Sequence, residues 1–391
     1  DRPVGQRRAG RRDLDEQHGR ETSGLDQLDG GAVDRLRLCP VAQQPGSAGD
    51  VPRGLPCRIE HRRPGRDRDV VHHRRQRCGP RLVDEARGCG RCTHDRTAGV
   101  KAINSVLTVG QGQRIGLVAG SGVGKSILLG MLTRFTKADI VVIGLIGERG
   151  REVQAFIHES LGEEGLAKSV VIAAPANVSP VLRLKATHMT HVIAEYFRDQ
   201  GKNVLMLCDS LTRVAHAQRE IGLAIGEPPT AKGYPPSVFA LLPNLIERGG
   251  VGRHGHGSIT SIYTVLAEGD DGNDPIVDIA RASLDGQVML SRRLADQAHY
   301  PAIDLNGSIS RVMQTLVSPD ELKQSNKLRR LWSVYQQNAD LVQVGAYESG
   351  SNPELDEAIR IREQMVDFLR QDMDKGEDYA MTRNQLSHML S

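Results

Sequence analysis

The octapeptide Ala119-Gly120-Ser121-Gly122-Val123-Gly124-Lys125-Ser126 constrains this chain more than any other stretch. An apolar run, Ile115-Gly116-Leu117-Val118, precedes it and reads as a buried strand. Ile127-Leu128-Leu129-Gly130-Met131-Leu132 follows and reads as a helix. Strand, glycine loop, Lys-Ser and helix in this order form the context of a P-loop. Gly120, Gly122 and Gly124 allow the backbone to curl until successive N–H groups converge on phosphate oxygens. The start of the helix adds its partial positive charge at the same point. Lys125 is then placed to reach the β- and γ-phosphates, and the Ser126 hydroxyl to ligate Mg²⁺. The expected ligands are ATP and Mg²⁺, with nucleotide contacts along Ala119–Ile127. Ala119 stands where the strict pattern has glycine, and a methyl is tolerable at a strand end. A chance glycine-rich turn is the alternative, and the flanking strand and helix argue against it.

Two carboxylates follow at strand ends. Ala138–Ile146 is, apart from Asp139, an apolar run of strand length, as in buried parallel strands. Gly147-Glu148-Arg149-Gly150-Arg151-Glu152 lies at its carboxyl end, the edge where open α/β sheets bind ligands. Glu148 is expected there to orient a water for attack on the γ-phosphate. Glu152 reads instead as surface charge opening a helix to Ser160. Val170–Pro175 predicts another strand, and a long helix is expected from about Leu182 to Gln200. Val204-Leu205-Met206-Leu207-Cys208-Asp209-Ser210 then has the Walker B pattern, a buried strand delivering Asp209 to Mg²⁺ beside Ser126. Strands ending in Asp are common. This one gains meaning from lying about eighty residues after a P-loop, with helices between.

Further segments carry a specific resemblance. They are Asp209–Arg213, Gly226-Glu227-Pro228-Pro229-Thr230-Ala231-Lys232-Gly233-Tyr234-Pro235-Pro236-Ser237-Val238-Phe239, Gly257–Thr260, Glu268–Asp271, Leu284–Gly286 and His299-Tyr300-Pro301-Ala302-Ile303-Asp304. In order and spacing, from about Gly99 to the C-terminus, the chain resembles the flagellar type III protein export ATPases, relatives of the catalytic subunit of rotary ATP synthases. The resemblance implies a RecA-like α/β core in a homohexameric ring with ATP at subunit interfaces. It makes Glu148 the catalytic glutamate of the Gly-Glu-Arg motif. Arg311, in Ser308-Ile309-Ser310-Arg311, becomes the arginine reaching a neighbour's site, with a salt bridge inside its own subunit as the alternative. It sets Tyr300 near the adenine, a core tyrosine being the alternative. The implied partners are export-apparatus proteins, chaperones and export substrates. The implied location is cytoplasmic, peripheral at the inner face of the cell membrane beside the membrane-embedded export gate.

The first hundred residues depart from this pattern. They hold 21 arginines and no lysine against 15 acidic residues, a net +6, while the remainder carries −3. Phe, Tyr, Trp, Met, Lys and Asn are absent from them, and one Ile is present. Such a composition offers too little apolar surface to offset chain entropy. Apart from Trp, the missing residue types share A/T-rich codons. Residues 1–97 are therefore expected to be a GC-rich gene read in a wrong frame, unfolded in place of the family's small β-barrel. The absence of an initiating Met fits a truncated or mis-started chain. A disordered Arg-rich arm is one alternative, and a zinc site from Cys78, Cys89, Cys92 and His94 is another. The acidic residues argue against a transit peptide. This departure puts ring formation by the polypeptide in question.

Residues 98–317 read as the RecA-like domain and 318–391 as a small helical domain. Ser318-Pro319-Asp320-Glu321 is a helix start with a capping box. Leu328, Leu331, Trp332 and Tyr335 follow at helical spacing, and Trp332 reads as core. Asn352-Pro353 opens a further helix with Ala358, Ile361, Met365 and Phe368 on one face. The mildly acidic remainder gives no reason to expect nucleic acid. No apolar run approaches the roughly 18 residues of a bilayer span, and no signal peptide is visible. Cys208, in an apolar run, reads as a buried thiol in a reducing compartment. Competing functions are the virulence-type injectisome ATPase, an ATP synthase catalytic subunit, a ring subunit that binds but does not hydrolyse nucleotide, and a hexameric RNA helicase. Val344-Gly345-Ala346-Tyr347 favours the flagellar type over the injectisome. The Gly-Tyr-Pro-Pro-Ser segment and short C-terminus argue against the synthase. Glu148 argues against a silent subunit. A helicase requires an aromatic RNA platform, and residues 1–100 contain no aromatic residue.

Overall fold

A computed structural model of the chain describes residues 98–253, 256–266 and 274–391. The expectations for residues 1–97, the zinc reading among them, lie outside the described residues, as does Glu268–Asp271.

Eight strands form one sheet among the described residues: β1 (Arg114–Ala119), β2 (Ile140–Ile146), β3 (Ser169–Ala174), β4 (Asn203–Asp209), β5 (Gly250–Val251), β6 (Ser258–Leu266), β7 (Gly286–Leu290) and β8 (Ile303–Ser310). Their order is β3-β2-β4-β6-β1-β7-β8, with β5 paired antiparallel to the start of β6. From β3 to β7 the neighbours are parallel, and β8 returns antiparallel. β1, β2 and β4 are almost wholly apolar because both faces are covered, while β6 between β4 and β1 also carries Ser258, Thr260, Ser261 and Thr264. In β2, Val141, Ile143 and Leu145 enter one core while Val142 and Ile146 enter the other. The first core lies under the helix Lys125–Phe135 and the C-terminal helices. The second lies under Pro180–Asp199, Leu211–Ala224 and Pro236–Ile246.

Register brings the functional ends together. Asp209 closes β4 opposite Leu145, three residues before Glu148, and Ala119 closes β1 opposite Leu266. Between β1 and β2 the chain passes over β6 and β4, so the loops after β1, β2 and β4 meet across a crevice at the sheet's carboxyl edge.

Two helices differ from expectation. The one expected at Glu152–Ser160 begins at Gly150 and runs as Gly150–Ala155, a π-helical turn Phe156–Leu161, and Gly162–Ala167. The one expected from Leu182 spans Pro180–Asp199, because Ser179 caps it and Pro180 sits at its first position.

The C-terminal helices are Pro319–Gln343, Pro353–Arg360, Arg362–Leu369 and Tyr379–Leu390. The capping box at Ser318 is formed: its N–H donates to Glu321 Oε2 (2.8 Å), and Glu321 N–H donates to Ser318 Oγ (3.3 Å). Trp332 is buried with Leu328, Leu331 and Met365 in the same core as one sheet face. Residues 98–108 are clasped by these helices. Asn104 Nδ2 donates to the Glu377 carbonyl (3.0 Å), and Arg383 Nη2 donates to Thr108 Oγ1 (2.9 Å). Gly99 has φ +75°, and a Cβ there would lie 2.1 Å from that of Phe135, the last residue of the helix after the P-loop. No helix among the described residues is long and apolar enough to cross a membrane.

Candidate functional site

The loop after β1 curls as its glycines allow. Gly124 has φ +90° immediately before the helix Lys125–Phe135, a conformation that suits glycine and turns the chain into the helix. Val123 faces the core, 2% exposed, so its contribution to the loop is its backbone. The loop borders a cleft of about 890 Å³. Gly120, Gly122, Lys125, Ser126, Glu148, Asp209 and Tyr300 share its lining.

At the base of the cleft, Lys125 Nζ lies 2.7 Å from Asp209 Oδ1 and 3.4 Å from Glu148 Oε1. Thr264, on the strand between β4 and β1, donates its hydroxyl to the same Asp209 oxygen (2.6 Å). Burial works against the Lys125 charge, but Asp209 and Glu148 outweigh it and hold the ammonium above its ordinary pKa. Burial raises the Glu148 carboxyl above the usual glutamate range. Lys125 opposes that rise, and Asp209 adds to it.

Tyr300 is 43% exposed and its ring faces the loop: a side chain at Gly124 would stand 3.5 Å from its Cε1. It is a cleft residue, not a core tyrosine. Arg311 lies outside this cleft. It is exposed, donates Nη2 to the Arg281 carbonyl (3.0 Å), and makes no ion pair with described residues. The salt bridge considered for it within its own subunit is not formed there. Glu152, expected at the surface, pairs with Arg149 (3.9 Å) and also lines the cleft rim.

Two cleft residues, Arg213 and Arg292, and the buried Thr264 behind Asp209 are not singled out for a role by the sequence. Arg213 lies four residues after Asp209 in the helix Leu211–Ala224, and its buried Nε has no hydrogen-bond partner among the described residues. Arg292 donates Nη2 to the Ser121 carbonyl of the loop (2.9 Å). Thr264 braces Asp209. Arg213 closes the motif Asp209-Ser210-Leu211-Thr212-Arg213. Arg292 and Thr264 arrive through register alone.

The donor set suits a hard cation. Ser126 and Asp209 bring oxygen ligands to one cleft, and no group of three His, Cys, Asp or Glu able to hold a metal exists among the described residues. Mg²⁺ is commonly held this way, by one or two protein oxygens plus phosphates and water.

Sheet order, loop and paired carboxylates define the class, an α/β domain of the P-loop type. The model of the ATP synthase alpha/beta family, nucleotide-binding domain, matches residues 99–310, and that of the T3SS EscN ATPase C-terminal domain matches residues 317–388. The chain belongs to the ATP synthase alpha/beta family. It is 60% identical over 293 residues to the flagellum-specific ATP synthase of Pseudomonas aeruginosa, covering 75% of this chain and 65% of that protein. It is 52% identical over 289 residues to the type 3 secretion system ATPase of Xanthomonas euvesicatoria, covering 74% and 65%. The assembled ATPase EscN from the enteropathogenic E. coli type III secretion system superposes with a TM-score of 0.73 at 46% identity, over 76% of this chain and 72% of that one. The chain thus spans less than two thirds of the length of the curated relatives it matches.

Proposed function

We propose that the chain hydrolyses ATP, with Mg²⁺, to drive protein export by a flagellar type III apparatus. The observation that carries this reading is the ammonium of Lys125 held between Glu148 and Asp209 at the foot of a glycine loop. The loop N–H groups and the helix start hold the phosphates. Lys125 turns from the two carboxylates to the β- and γ-phosphates. Asp209, steadied by Thr264, and Ser126 hold Mg²⁺, which when bound neutralises phosphate charge. Glu148, left ionised beside the γ-phosphate, orients a water and accepts its proton as the water oxygen attacks the γ-phosphorus, while the bond from that phosphorus to the β,γ-bridging oxygen breaks and ADP leaves. Its raised pKa brings it nearer the working pH of a general base. Tyr300 faces the adenine.

In this reading the chain works as a homohexamer with ATP at subunit interfaces, and Arg311 serves the neighbour's cleft. Its exposure, away from its own P-loop, and the assembled EscN relative support that reading. Export-apparatus proteins, chaperones and export substrates are the partners. The place of work is the cytoplasm, peripheral to the inner face of the membrane. Higher identity to the flagellar relative than to the type 3 secretion relative favours flagellar over virulence-type export.

Phosphate release from MgATP tests the chemistry, and expression in cells lacking their flagellar export ATPase tests the process. The proposal expects turnover that Lys125→Ala abolishes, and restored motility. Nucleotide binding without turnover in assembled rings, or rescue of effector secretion but not of motility, would refute the respective part.

A further inference from the structure

Three parts of the chain meet at one side chain outside the cleft. Gln371 lies in the turn after the helix Arg362–Leu369. Its Oε1 accepts from Lys101 N–H (2.8 Å), and its Nε2 donates to the carbonyls of Gly99 (2.7 Å) and Lys375 (2.6 Å). An N–H on one side and two carbonyls on the other fix the orientation of the amide. The backbone N–H of Gln371 donates to the carbonyl of Tyr300 (2.9 Å). All four bonds run to backbone groups, so sequence changes in the partners leave them in place. Gly99 O also accepts from Glu377 N–H (3.0 Å), and Arg134, near the end of the P-loop helix, donates to the Met373 carbonyl (2.7 Å). The turn is therefore pinned on three sides. Its one bond toward the cleft goes to the residue whose ring overlies Gly124.

We propose that Gln371 is a positioning residue for nucleotide binding: its side chain locks the 371–375 turn to Gly99 and Lys101, and its N–H thereby sets the height of Tyr300 over the P-loop. The inference rests on the reading of the cleft as a nucleotide site with Tyr300 at the base. Gln371 touches no phosphate. Its influence falls on the base and leaves the loop–phosphate contacts untouched, which a general loss of stability would not do.

The test is equilibrium binding of ADP and of tripolyphosphate, each with Mg²⁺, to the full chain and to Gln371→Met, Tyr300→Ala and the double variant. Methionine keeps the length and removes all three side-chain bonds. Gln371→Met should weaken ADP about fivefold, the order of one net hydrogen bond, and leave tripolyphosphate binding unchanged. The double variant should bind ADP no more weakly than Tyr300→Ala, because coupled residues are not additive. Equal weakening of both ligands, or additive losses, would overturn the inference. Tyr300→Ala weakened with Gln371→Met unchanged removes the inference alone. Tyr300→Ala binding ADP at full affinity removes the base-pocket reading, and this inference with it. If Gln371→Met does not fold, Gln371→Asn, which is too short to span the three partners, carries the same comparison.

Discussion

Lys125 holds two acidic side chains at the bottom of one cleft, and that has consequences for each of them. Without its ammonium, Glu148 and Asp209 would face each other with no cation between, and like charges at short range disfavour double ionisation. Lys125→Ala is expected to weaken nucleotide binding and to push Glu148 further up. Glu148→Gln keeps the shape and removes the base. It should bind MgATP as before and hydrolyse it about 10²-fold or more slowly, read as single-turnover phosphate release in assembled rings. The pH dependence follows from the direction of the Glu148 shift. Burial raises its pKa from the ordinary glutamate value, and as the proposed general base it must be ionised to act. Activity should therefore fall on acidification at a higher pH than an ordinary glutamate would give, and a kcat/KM profile, which reports the free site, with its acid limb in the ordinary glutamate range would refute this. Cys208, pushed up to about 12 by burial and the Asp209 charge, stays a neutral thiol throughout.

The helix Pro180–Asp199 carries a buried titratable group. His191 Nδ1 donates to the Thr187 carbonyl (2.8 Å), leaving Nε2 beside the Tyr263 hydroxyl (3.1 Å). Burial lowers its pKa from 6.5 to about 4; Arg248 and His188 also disfavour the charge, while the Thr187 carbonyl and Glu195 favour it. The unfolded chain binds this proton first, so stability is full above pH 6.5 and is lost progressively as pH falls toward 4. The loss amounts to about 3 kcal/mol at roughly 1.4 kcal/mol per pH unit. His191→Gln should flatten that part of a urea-denaturation series taken against pH. At the start of Pro319–Gln343, Ser318→Ala should cost about 1 kcal/mol through loss of the cap, seen as a lower thermal midpoint. Elements whose cause is local could be read directly from the chain. Ser318 and Glu321 form a box from four consecutive residues, and the apolar runs of β1, β2 and β4 needed only burial on both faces. The short β5, the antiparallel return of β8 and the π-helical turn Phe156–Leu161 were not legible, because pairing and packing between distant segments determine them. The same division runs through the cleft. Lys125, Ser126, Glu148 and Asp209 stand at ends of elements that announce themselves. Thr264 reaches Asp209 only because β6 lies between β4 and β1, and Arg292 reaches Ser121 only through the fold.

At the scale of the whole molecule, Arg311 is exposed outside the cleft, and the proposed ring would set it against a neighbouring copy. A well-placed arginine finger is worth about 10³–10⁵ in rate. If a second copy receives it, turnover per chain rises with protein concentration, and two inactive variants repair each other. Arg311→Ala retains its P-loop, and Lys125→Ala retains its arginine. Mixed rings hold interfaces with both parts intact and should regain part of the activity. Mixed rings that demonstrably form and regain nothing would exclude action in trans. The junction at Gly99 has a further, practical consequence. Its positive φ and the Phe135 side chain against it leave no room for a Cβ. Any chimera that joins a foreign barrel to this core must splice ahead of Gly99 and carry that glycine through. A seam placed one residue later, with alanine at 99, would press on Phe135 and force the far end of the P-loop helix to shift.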